Sequence, residues 1–147
     1  MNHLGNSLIE KGPGYFISKR HGCVQVFLYN YEHFNHLFAS GESFDTAYLD
    51  RYTPFSTLGK MDVSLSLVGF TAKKCHIVTR IVNQKYGSSF DMWVSMNAPK
   101  MDEELIGYLQ RICVPKIDFK NTDIQDGKIE IKAMLDPLEI RLIEIHC

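Results

Sequence analysis

Acid/base chemistry of the two-carboxylate kind needs a pair of Asp or Glu side chains facing each other across the bond to be cut. The pairs that the chain offers are Asp45 with Asp50, Glu103 with Glu104, and Glu139 with Glu144. Glu103 and Glu104 open a predicted helix, where the macrodipole favours acids without any catalytic role. Glu139 and Glu144 alternate with Arg141 in the last predicted strand and are expected to face water. No catalytic residue is assigned from these pairs. His33-x-x-His36 would set two imidazoles on one helical turn, a spacing that metal sites use. No third ligand stands at motif spacing, and the neighbours Phe34, Leu37 and Phe38 read as packing, so neither a metal nor a cofactor is expected. Nucleophile elbows, phosphate loops and dinucleotide fingerprints are missing from the sequence.

Aromatic residues stand out instead. Tyr29, Tyr31, Phe34, Phe38, Phe44, Tyr48, Tyr52 and Phe55 crowd into less than one fifth of the chain. Flat rings beside polar groups stack on sugars, and rings on a strand face also build contacts between domains. Tyr29, Tyr31, Phe34, Tyr48, Tyr52 and Phe55 are therefore the candidates for a carbohydrate or domain contact, and the domain contact is preferred.

The elements that must position these residues follow a period of two. Met61, Val63, Leu65 and Leu67 alternate with polar neighbours, as do Ile129, Ile131, Ala133 and Leu135. Segments 15–19, 23–31, 61–69, 75–83, 127–135 and 138–145 are expected as strands. The last two are expected to form a closing hairpin through a type I turn at Asp136-Pro137. Segments 23–31 and 75–83 are apolar on both parities, which predicts strands covered on both faces. Ser88 and Asp102 can cap short helices, the second over 102–112, with Phe90, Trp93 and Val94 on one buried face of the first. His33 to Ala39 reads as one irregular turn and Ala39 to Leu58 as a long surface loop. The expected fold is all-β, an antiparallel β-sandwich with one or two short helices in a connection.

The chain of 147 residues suits one domain, residues 1–147, and is too short for a (β/α)₈ barrel, which takes about 250 residues. Its 16 basic and 17 acidic side chains nearly cancel, which gives no electrostatic case for nucleic acid or a membrane surface. Met1 to Lys11 has no basic start followed by an apolar run, so a cytoplasmic protein is expected. Cys23, Cys75, Cys113 and Cys147 are widely spaced, and reduced, mostly buried thiols are the plain reading.

Three segments carry a resemblance. Val24-Gln25-Val26-Phe27-Leu28-Tyr29-Asn30-Tyr31 with His33-Phe34 resembles a strand of glycoside hydrolase family 39, the β-xylosidase and α-L-iduronidase family. Tyr86-Gly87-Ser88-Ser89-Phe90-Asp91-Met92-Trp93, with Met96 and Ala98-Pro99, is similar to a second segment of that family. Leu135-Asp136-Pro137-Leu138-Glu139-Ile140-Arg141-Leu142-Ile143-Glu144-Ile145 resembles its closing segment. Asn97 stands where the family often has glycine, and Tyr86 where it often has histidine.

The resemblance implies the family's C-terminal β-sandwich and not its catalytic barrel, whose Asn-Glu signature has no counterpart here. It implies a non-catalytic accessory domain that supports a barrel absent from this chain. That barrel would be the partner, and family sandwiches also borrow a strand from the N-terminal side of the barrel. Two alternatives are a carbohydrate-binding module for xylose-type sugars and the sugar-sensing end of an AraC-type transcriptional regulator. A homodimer through Tyr29, Tyr31, Phe34 or the Tyr48–Phe55 segment would be a second way to cover an orphaned docking face.

Overall fold

The computed structural model describes residues 7–20, 22–41, 50–55 and 58–147. The elements are β1 (Ser7–Gly12), β2 (Tyr15–Arg20), β3 (Cys23–Tyr29), α1 (His36–Ala39), β4 (Met61–Val68) and β5 (Lys74–Val82). They continue with α2 (Ser89–Ser95), α3 (Glu103–Ile112), β6 (Lys116–Asp123), β7 (Lys128–Leu135) and β8 (Ile140–His146). The strands make a six-stranded sheet in the order β1-β2-β3-β8-β5-β6 and a two-stranded sheet of β4 and β7. All neighbours are antiparallel. The expected all-β sandwich is the fold found.

Alternation places the core between the two sheets. Ile17, Val26, Leu28, Cys75, Ile143 and Ile145 of the large sheet meet Ile129, Ile131 and Leu135 of β7. Met61, Val63, Leu65 and Leu67 of β4 pack against the same layer. Fully burying one such aliphatic side chain contributes about 1.5–3 kcal/mol. The strands apolar on both parities, β3 and β5, are interior strands of the large sheet, but the outer face of β3 is not covered as expected: Phe27 and Tyr29 there are only partly buried. The β1–β2 hairpin turns through Pro13-Gly14. Gly14 has φ 76°, and a Cβ there would lie 2.9 Å from the Met61 methyl.

Several expectations need correcting. β7 and β8 are not a hairpin: β7 pairs with β4, whereas β8 lies between β3 and β5. The Asp136–Glu139 turn carries the chain from one sheet to the other, with Glu139 N–H donating to Asp136 O at 3.2 Å. Leu138 follows the proline at φ 59°, which is type II geometry and not type I. β1 and β6 were not expected, and both are edge strands.

Trp93 is half-buried, with its indole N–H donating to Pro99 O at 2.8 Å. Phe90 is exposed, and on α2 it is Val94 that is buried. Cys75 is bonded to Cys147, with their Cα atoms 4.4 Å apart, while Cys23 and Cys113 remain thiols. The bond continues the rung next to the His76–His146 pair of β5 and β8. No described helix is long and apolar enough to cross a membrane.

Both helix caps are as expected: Ser88 accepts from Asp91 N–H and Asp102 from Leu105 N–H. At the other end of α2, Ala98 N–H donates to Trp93 O and Asn97 N–H to Val94 O, each at 3.0 Å. This is a Schellman closure with Asn97 in the left-handed position, φ 63°. The glycine expected from the resemblance at position 97 thus has a backbone reason, and asparagine is the residue that best replaces it.

Two outcomes follow from this geometry. Asn97→Gly should hold or raise stability by up to about 1 kcal/mol, and Asn97→Val should lower it by about 1–2 kcal/mol, read by urea unfolding. Cys147→Ser should lower stability by about 2–4 kcal/mol, because the bond closes a long loop. Dithiothreitol should bring the wild type to the same value and leave the variant unchanged.

Candidate functional site

The five described aromatic candidates do not form one surface. Tyr29 ends β3 and Tyr31 follows it on an extended segment, and both line a cavity of about 480 Å³ on the outer face of the large sheet. Phe16 of β2, Phe27 of β3, Leu138 and Ile140 complete its apolar wall, with Asn30 and Glu139 as the remaining lining residues. Phe16 stacks on Phe27 with ring centres 4.7 Å apart, and Phe27 lies 6.5 Å from Tyr29. Tyr31 is 64% exposed and meets His33 edge-on at 4.8 Å.

Phe34, Tyr52 and Phe55 belong to a second cluster. Phe34 contacts Phe38 at 4.8 Å and Phe55 at 4.9 Å, and the backbones of Phe34 and Phe55 form an antiparallel bridge. Tyr52 is 6.2 Å from Phe55. Tyr48, Phe44 and Asp45 lie outside the described residues.

The described part of the expected surface loop is anchored. Pro54 is buried, and Asn35 N–H donates to its carbonyl at 2.6 Å. Asp91 of α2 is the anchor. It accepts from Arg51 Nε at 2.9 Å, from Arg51 Nη2, from the Tyr52 hydroxyl at 2.6 Å and from the Ser88 hydroxyl. The guanidinium also lies over the Tyr52 ring at 4.7 Å.

These contacts set the charges. Burial pushes the Asp91 carboxyl up, but the hydrogen bonds from Ser88, Tyr52 and Arg51 outweigh it and hold the group below the usual carboxylate value. Burial, and then the hydrogen bond to Asp91, push the Tyr52 hydroxyl up to about 12.

The acidic residues of the last segment are placed differently from the expectation. Glu139 precedes β8 and is 2% exposed, so it does not face water. Its carboxylate accepts from Arg141 Nε at 2.8 Å, Asn83 Nδ2 at 3.1 Å and Asp136 N–H at 3.3 Å. Glu144 lies on the outer face and is held by Arg80 and by Gln25, whose Nε2 donates to Glu144 Oε1 at 3.2 Å. The alternation of charged residues in this segment gave no sign of the Glu139–Arg141 pair. Pro137 just before it, which displaces the strand start, was the available signal.

His36 lies in α1 and His33 before it. Among the described residues no three His, Cys, Asp or Glu side chains converge as a metal site requires.

The chain shares its fold with a part of several glycoside hydrolase family 39 enzymes. The family 39 enzyme from Xanthomonas axonopodis pv. citri superposes with a TM-score of 0.70 at 11% identity, over 97% of this chain and 28% of that one. A monomeric β-xylosidase from Caulobacter crescentus CB15 gives 0.63 at 15% identity, over 92% of this chain and 26% of its own. A bacterial orthologue of human α-L-iduronidase gives 0.58 at 13% identity, over 99% and 23%. The chain therefore spans about a quarter of each of these proteins and shares the fold of that part. No family model matches the sequence, and no curated protein matches it.

The Tyr52–Asp91 bond has a pH signature. A tyrosine whose folded value lies near 12 instead of 10 contributes fully below pH 10 and loses that contribution as pH rises towards 12. The stability difference between wild type and Tyr52→Phe should therefore shrink between pH 10 and 12, as followed by thermal midpoints.

Proposed function

We propose that this chain is a non-catalytic accessory domain of a glycosidase of family 39 type, and that it supports a catalytic barrel outside the chain. The observation that carries the reading is the chemistry of the outer-face cavity. A sugar site needs polar groups beside its stacking ring, because a sugar presents hydroxyls around its whole rim. Here, apart from the tyrosine hydroxyls, the polar lining is already engaged. Asn30 Nδ2 donates to Gly59 O at 2.8 Å and to Asp136 O at 3.0 Å, and Glu139 is held as described. What the cavity offers is apolar wall from Phe16, Phe27, Leu138 and Ile140, which suits an apolar side chain of a neighbouring domain. The resemblance in sequence and the shared fold support the same reading. The carbohydrate-binding module remains the second reading because Tyr31 is an exposed flat ring at the cavity's rim.

The test is association with a barrel expressed as a separate chain. A family 39 barrel should copurify with this domain, and Ile140→Glu should remove the association while shifting stability by no more than about 0.5 kcal/mol, since Ile140 is exposed. The domain alone should give no binding heat with xylobiose. Heat that Tyr31→Ala abolishes would replace the accessory reading with the binding module.

A further inference from the structure

We propose that β6 is a self-pairing edge, through which two copies of this chain join their large sheets into one continuous antiparallel sheet. The first observation is the state of the edge. β6 pairs with β5 without interruption from Lys74–Asp123 to Ile81–Lys116, and its other side has no strand among the described residues. Its residues are exposed along almost the whole length, including Phe119 at 69% and Ile117 at 47%. Alternate peptide groups of such a strand point outward as unpaired donors and acceptors. The opposite edge of the sheet, β1, is different. Its register shifts between Leu8 and Glu10, and bulges of that kind take an edge out of pairing.

The second observation is charge complementarity, and it selects a register. In an antiparallel pair, residues opposite each other share a face. Two-fold pairing must therefore centre on a residue that faces its own copy. Centring on Asp118 sets that carboxylate against itself and Lys116 against Lys120. Centring on Lys120 sets that ammonium against itself. Centring on Ile117 brings in Pro115, which has no N–H to give.

Centring on Phe119 uses Lys116–Thr122 and sets Asp118 of each copy opposite Lys120 of the other, so that two opposite-charge pairs form on the inner face. Phe119 then faces Phe119, and Ile117 faces Asn121, on the outer face. Phe119 is already presented there by the His76 ring, 5.9 Å away, and His76 Nδ1 lies 2.9 Å from Asn121 Oδ1. Lys116 lies 2.8 Å from Asp118 within the chain, so each Asp118 would sit between its own Lys116 and the partner's Lys120. The pairing covers the two most exposed apolar side chains of the strand and leaves the outer-face cavity untouched. It does not depend on the accessory-domain reading.

The experiment is sedimentation equilibrium of the whole chain and three variants. The wild type should show a concentration-dependent dimer. Asp118→Lys and Lys120→Asp each turn two attractive cross-strand pairs into two repulsive ones, so each should weaken dimerisation by about tenfold or more. The double exchange Asp118→Lys with Lys120→Asp restores opposite charges in the same register and should return the dimer to within about threefold of wild type. Circular dichroism and thermal midpoints report whether each variant is folded. A wild type that stays monomeric, single variants that dimerise as well as wild type, or a double variant no better than the singles would each overturn the proposal. A dimer that Ile140→Glu dissolves and the charge exchanges leave alone would place the contact on the cavity face and overturn it equally.

Discussion

The position of β8 is the constraint on which the rest depends. The last strand of the chain lies in the middle of the large sheet, between β3 and β5. On one side stand β1, β2 and β3, which are consecutive in sequence and local in contact. On the other stand β5 and β6. Among the described strands only β8 pairs with both halves, and it also supplies Ile143 and Ile145 to the core. Such a sheet is closed by contacts of large sequence separation, so loop-closure entropy must be met before the central pairing returns any stability. The Cys75–Cys147 bond lies at the end of this strand and ties it to β5.

The entry to β8 explains a buried charge. Glu139 links three parts of the chain: Asn83 at the end of β5, Asp136 at the end of β7, and Arg141 within β8. Its carbonyl also accepts from Asn30 N–H at 2.9 Å, just beyond β3. A carboxylate taken out of water in this way is tolerable only because every oxygen has donors. Leu138 is held at positive φ beside it, and a rigid crossover of this kind sets the floor of the cavity formed with Phe16, Phe27 and Tyr29. The outer-face cavity is thus built on the turn that puts the last strand in place.

Strands with one dry face were legible in the sequence because burial imposes alternation, as in Met61–Leu67 and Ile129–Leu135. β3 and β5 were legible as interior strands because both of their parities are apolar. β1 and β6 escaped notice because an edge strand buries little, and Lys-Ile-Asp-Phe-Lys-Asn-Thr-Asp shows no face that must be dry. The β7–β8 hairpin was misread for a different reason. Alternation is the same whether two strands joined by a short turn lie in one sheet or in facing sheets, and the tertiary fit of Ile143 and Ile145 decides. Among the aromatics, residue type located the two clusters but not their separation. The anchor of the second cluster, Asp91, carried no signal beyond its place in the first turn of α2, where an acid is ordinary.

The unequal sheets leave a second concavity, and its chemistry differs from that of the first. Two strands cannot cover six, so β7 stands beside a groove over the inner face of β5, β6 and β8. That groove is lined by Ile77, Thr79, Ile131, Ala133 and Ile143, but also by Lys120, Glu130, Lys132 and Arg141. Lys120 and Lys132 along its rim keep their heads in water while their stems cover apolar surface. The groove is therefore compatible with solvent. The outer-face cavity has no such screen. Its ionic groups are turned into the fold to hold the crossover, and apolar rings are left at the surface. The large sheet thus has a charged groove on its inner flank at β6 and an apolar cavity on its outer face at β2 and β3.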